Sequence, residues 1–156
     1  MKSYNVLKRG AGVVPAVAGF LGLLLPIASV TVTAFGVTVS SDTYTIFEII
    51  ELFNNIGRDT LRLKLFITGL SLGSILSLGS LIRKRKVASI GVIVQAITVG
   101  LMINRAMNAV GNNGFIEAAP EIGLYVMALA PISGIILVIL PLVADLADFG
   151  GQTASE

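Results

Sequence analysis

Cysteine, histidine and tryptophan are all missing from this chain of 156 residues. Without cysteine there are no disulfides, no thiolate nucleophile and no haem attachment, and without histidine the commonest side-chain ligand of transition metals is gone as well. Thiol usage therefore says nothing about compartment. Charge is scarce too. Only 13% of residues are charged, against about 25% in a soluble domain, while 54% are hydrophobic and the mean hydropathy is +0.90. The formal net charge of +2 is a small excess, carried by a few residues beside apolar segments. It offers no basic face with stacking aromatics, so nucleic acid is not an expected partner. Nor does the chain hold a nucleophile–base pair, a metal-ligand set or paired carboxylates, so neither enzymatic activity nor a cofactor is expected.

What is present is a series of long apolar runs. A helix needs about 20 residues to cross the hydrocarbon core. Four stretches reach that length, at about 11–34, 63–82, 87–107 and 122–143. The expected fold class is all-α, a single integral membrane domain built as a four-transmembrane-helix bundle. It would carry a short extracellular β-like segment and an amphipathic external helix in a loop at about 35–60. The first run is longer than the roughly 7–15 apolar residues of a signal peptide, so it is read as a retained span. Pro15, Pro26, Pro131 and Pro141 in the first and fourth runs are expected to bend helices.

Basic residues near span ends are retained in the cytoplasm. Lys2, Lys8 and Arg9 precede the first span, and Arg83, Lys84, Arg85 and Lys86 make up the turn between the second and third, which places seven of eleven cations on one side. Both termini are therefore expected to be cytoplasmic, with residues 144–156 a short solvated tail. The tetrad 83–86 is expected to act as an anchor and to offer a site for anionic lipid.

The loop after the first span carries two signals. Thr31-Val32-Thr33 and Val37-Thr38-Val39-Ser40 are β-branched runs that suit an extended segment or hairpin, although Thr31 and Thr33 could equally finish the first helix by bonding back to its carbonyls. Thr45-Ile46-Phe47-Glu48 then matches a capping box and Gly57 a helix stop. Between them Ile46, Ile49, Ile50, Phe53 and Ile56 share an apolar face opposite Glu48, Glu51, Asn54 and Asn55. That helix is too short to span. It is expected to lie across the outer end of the bundle, with Phe47 and Leu52 at the edge of its polar face as candidates for partner contact.

In the second span Gly69, Gly73 and Ser77 recur every fourth residue, a stripe of small side chains over which another helix can approach closely, either inside the bundle or between copies. Gln95 and Thr98 of the third span are the intramembrane polar candidates. Arg105 at the outer end of that span is expected near Glu117 or Glu121. No Asp, Glu, Lys or Arg falls near a predicted midplane, which argues against a proton-coupled pump or a carrier of charged solutes.

Four spans, cytoplasmic ends, a longer first external loop with β-like and helical parts and a short second one together resemble the layout of the claudin-like tetraspan membrane proteins. The resemblance covers most of the chain as a layout. A claudin-type first loop carries a tryptophan-rich signature and a cysteine pair, and this chain has neither, so no functional residue is carried over. The expected function is structural or in assembly: a self-associating scaffold, or an accessory subunit of a larger membrane or virion complex, with lipid and either its own copies or another membrane protein as partners. The alternative is a small pore or transporter for uncharged solutes, lined by Ser and Thr with Gln95.

Overall fold

The first apolar run does not continue as one helix. In the computed structural model, which describes residues 11–34, 37–82, 84–109, 116–141 and 143, helix α1 spans Val13–Leu24. Leu25 then turns to extended geometry, φ −86° and ψ 154°. Leu25 precedes Pro26, whose ring disfavours helical geometry in the residue before it. From Ala28 to Ala34 the chain is strand β1, so the span expected at 11–34 is helical only in its first part. Thr31 and Thr33 lie in the strand rather than in a final helical turn. β-branched residues repeating over Val30–Thr33 favour this outcome once the proline has stopped the helix.

Strand β2, Val37–Tyr44, pairs antiparallel with β1 from Ala28↔Tyr44 to Ala34↔Val37, with a register shift at Val32/Thr33. Thr31 and Ser41 face each other across the pair, their hydroxyls 3.3 Å apart. Next comes α2, Ile46–Asn55, then α3, Leu61–Ser77, with a 3-10 turn Leu78–Ser80. Helix α4 is Arg85–Ala109 and strand β3 is Ile116–Pro120. The last helix, α5, Ile122–Gly134, contains Pro131 and runs on into a π-helical stretch, Ile135–Ile139.

β3 pairs antiparallel with the free side of β1, giving the order β2-β1-β3. The expectation of an all-α chain with one β-like segment is amended accordingly: helices dominate, but the end of the expected first span, the segment after it and the segment before α5 combine into one three-stranded sheet. Backbone bonds join that sheet to the helices. Ile27 N–H donates to Tyr44 O at 2.8 Å, Glu121 N–H to Ile27 O at 3.0 Å and Gly123 N–H to Pro26 O at 2.7 Å.

Three helical segments among the described residues are long and apolar enough to cross a membrane: Leu61–Ser80, Arg85–Ala106 and Ile122–Ile139. These match the expected second, third and fourth spans. α1, with 12 residues, rises only about 18 Å. α3 packs on α4 and α1, and α5 packs on α1 and α4. The main apolar core lies toward the sheet, where Leu23, Ile27, Ile46, Leu70, Val99, Met102, Leu124 and Met127 meet. A smaller cluster of Ala88, Val92 and Val138 joins α4 to the end of the last helix.

Candidate functional site: a polar seam and an outer helix

Small residues on three helices let their backbones close on one another between α1, α3 and α4. A Cβ placed on Gly73 would meet Gln95 Cγ at 2.7 Å and Gly91 O at 2.9 Å, and one on Gly91 would meet Ser77 N at 2.5 Å. Neither position has room for any side chain. On the α1 side, a Cβ on Gly12 would collide with Ser77 O, and one on Gly19 with Ser74 Oγ. Gly69 lies farther along, where its missing Cβ would come 2.6 Å from Thr98 Oγ1. The Gly69, Gly73 and Ser77 stripe of α3 therefore meets Thr98, Gln95 and Gly91 of α4. Ser77 also faces α1.

The hydroxyls and the amide in this seam bond mainly to backbone. Ser77 Oγ donates toward Ser74 O at 2.8 Å and Gly12 O at 3.2 Å, while Gly12 N–H donates to Ser80 Oγ at 3.0 Å. Ser74 Oγ donates to Leu70 O at 2.8 Å. Gln95, fully buried, donates through Nε2 to Pro15 O at 3.1 Å and to Ser74 Oγ at 2.9 Å. One amide thus ties α4 to both α1 and α3. Oε1 of the same amide has no donor among the described residues. The reversed amide would set Oε1 against the Pro15 carbonyl, acceptor against acceptor, so the orientation follows from the partners.

The second candidate is α2. Thr45 Oγ1 accepts from Glu48 N at 3.3 Å and Thr45 N–H donates to Glu48 Oε2 at 2.7 Å, closing the capping box. The backbone donation from Thr45, and after it the Thr45 side chain, hold the Glu48 carboxyl below its ordinary range. The helix ends where Gly57 takes φ +70°, a left-handed geometry that glycine adopts without Cβ strain. Arg58 N–H then donates to Phe53 O at 2.8 Å. Ile46 is fully buried in the main core and Ile49 packs against it. Ile50 and Phe53 are half-buried, whereas Phe47 and Leu52 remain 48% and 46% exposed, and Ile56, expected on the apolar face, is the C-cap residue past the last helical turn and is 66% exposed. An open cavity of about 410 Å³ lies beside the helix, lined by Asp42, Thr43 and Tyr44 of β2 and by Glu48, Glu51, Leu52 and Asn55.

At the other end of the bundle, Lys84 and Lys86 are exposed and Arg85 is half-buried. Arg83, the cations at 2, 8 and 9 and the tail from 144 onward lie outside the described residues. Arg105 is exposed and Glu121 half-buried, and no ion pair joins them. The side chain of Glu117 is outside what the structure describes. No cluster of potential metal ligands occurs among the described residues.

Sequence reasoning singled out the α3 side of the seam and Gln95, but not Gly12, Gly19 and Gly91. A signal for them existed. Gly12 and Gly19 are seven residues apart and Gly91 precedes Gln95 by four, spacings that put each pair on one helix face. Comparison with known proteins finds no matching family model, no similar curated sequence and no similar solved structure.

Proposed function

We propose that the chain is a four-span membrane protein with a structural or assembly role, whose helices serve packing rather than transport. The observation that carries this reading is the closure of the polar seam. Its hydroxyls turn onto helix backbone, and its glycines bring backbones too close for a side chain or a path between them. The apolar exterior supports the membrane assignment. Leu65, Leu72 and Ile75 of α3, Ile90, Ile97 and Leu101 of α4 and Leu129 and Ile136 of the last helix all face outward, as a lipid solvent allows and water does not.

The same reading counts α1 as a span despite its length. Gly12 lies level with Ser77 and Ser80 at the far end of α3, and Pro26 bonds to the start of α5 at the sheet end. α1 therefore reaches between the same two levels as its neighbours. In this reading the layout is claudin-like, the sheet and α2 lie outside, and both termini share the cytoplasmic side with Lys84–Lys86. Lys84 and Lys86 meet anionic lipid there, beside exposed Leu81 and Ile82.

The mass of the complex released from native membranes by mild detergent tests the assembly role. A homo-oligomer or a hetero-complex well above the 16.3 kDa chain is the expected result. A lone monomer, with uncharged-solute flux in liposomes, would replace this reading with the pore.

A further inference from the structure

Gln95 Oε1 is the only buried side-chain oxygen or nitrogen among the described residues that lacks a hydrogen-bond partner. Its amide cannot turn to find one, because both Nε2 hydrogens are committed to Pro15 O and Ser74 Oγ. Ser74 Oγ, which shares this amide, gives its single hydrogen to Leu70 O and accepts one bond from Gln95 Nε2. It cannot donate to Oε1, and it keeps one unused lone pair. The two atoms thus present acceptors and no donor, on side chains fully buried from solvent.

We infer that this point in the seam is a binding site for one enclosed water molecule, which donates one O–H to Gln95 Oε1 and the other to the free lone pair of Ser74 Oγ. The stoichiometry selects the ligand. Two acceptors need two donors on one small neutral body. A dehydrated cation would require several more oxygen ligands than these two. A buried water commonly makes about three bonds to groups that would otherwise stay unpaired, and an unpaired carbonyl in an apolar interior is costly enough that native structures rarely leave one. The water would add a second link between Gln95 of α4 and Ser74 of α3, beside the direct bond from Nε2. This inference does not depend on the assembly role and holds for a monomer as well as for a complex.

The chain contains only two glutamines, Gln95 and Gln152, so the test can be made on the native side chain. A Q152N protein labelled with glutamine carrying 13C at Cδ and 15N at Nε, placed in lipid nanodiscs, reports on Gln95 alone. The site predicts a carbonyl stretch lowered to the position of a hydrogen-bonded primary amide. It also predicts a nuclear Overhauser cross-peak between water and the Gln95 Nε2 hydrogens. A carbonyl band at the unbonded position would overturn the inference. So would a bonded band without the water cross-peak, since the donor would then be a protein group.

Discussion

The two regions that hold this molecule together are built on opposite principles. Toward the sheet, Leu23, Ile27, Ile46, Leu70 and Met127 fill the space between α1, α2, α3 and α5 with large apolar side chains. Midway along the bundle, Gly73, Gly91, Gly19 and Ser74 bring backbones together with almost no side chain between them. In the proposed reading the first region borders an outer face where water is present, so burying hydrocarbon there is favourable by about 25 cal/mol per Å². The second lies among faces that meet lipid in the proposed reading. Lipid is as apolar as leucine, which leaves dispersion at close range and hydrogen bonding as the attractions between helices. The composition of each contact follows from the solvent it displaces.

Enlarging a side chain should therefore do most harm in the seam. Gly91→Leu and Gly73→Leu force α3 and α4 apart at backbone distances that no rotamer can relieve. Each is expected to cost at least the upper part of the ~1–3 kcal/mol typical of overpacking, read as loss of the folded fraction in a detergent or denaturant titration. Leu72→Ala, on the exposed face of α3, should be nearly silent in the same assay. Equal effects at positions 72 and 73 would erase the distinction between seam and lipid face.

Removing a side chain should do most harm in the sheet-end core. Ile46→Ala is expected to lose about 2–5 kcal/mol, measured by the same titration, because the fully buried isoleucine leaves a cavity under α2. Phe47→Ala, half exposed beside it, should cost far less unless a partner covers it. A smaller loss is expected for Thr45→Ala, which removes the cap of α2, about 0.5–2 kcal/mol. It should appear first as faster hydrogen exchange in Ile46–Asn55, with the seam unchanged.

The smallest effect is one of pH. Glu48 titrates below its ordinary value because Thr45 donates to the carboxylate. Its contribution is fully present above the unfolded pKa and is lost as pH falls through the lower folded value. Local exchange protection of α2 should therefore weaken only in acid, and Glu48→Gln should remove most of that dependence while leaving the neutral-pH fold intact.

Much of this division was legible in the sequence, for local reasons. The capping box of α2 is a contiguous signal of four residues, and the apolar lengths of α3, α4 and α5 announce themselves in any window. Gly69, Gly73 and Ser77 could be read because one helix carries all three. What escaped was pairing between distant segments. The β-branched runs at Thr31–Thr33 and Val37–Ser40 allowed a hairpin, but a hydropathy window cannot tell Ala28–Ala34 from the end of an apolar helix, and the third partner, Ile116–Pro120, carried no signal of its own. Gly12, Gly19 and Gly91 escaped likewise, since a glycine announces a close contact only when the helix facing it is known. The unpaired oxygen of Gln95 is of the same kind: the residue type was conspicuous, but the commitment of both its hydrogens depends on α1 and α3.

The most direct measurement is the sidedness of the chain, because the account requires α1 to cross the membrane despite its 12 residues. The absence of native cysteine lets single replacements at Ser3, Asp59 and Lys84 be labelled in intact cells by an impermeant thiol reagent. The account predicts labelling at Asp59→Cys from outside, and labelling at Ser3→Cys and Lys84→Cys only after the membrane is opened. Labelling of Ser3→Cys from the same side as Asp59→Cys would contradict it.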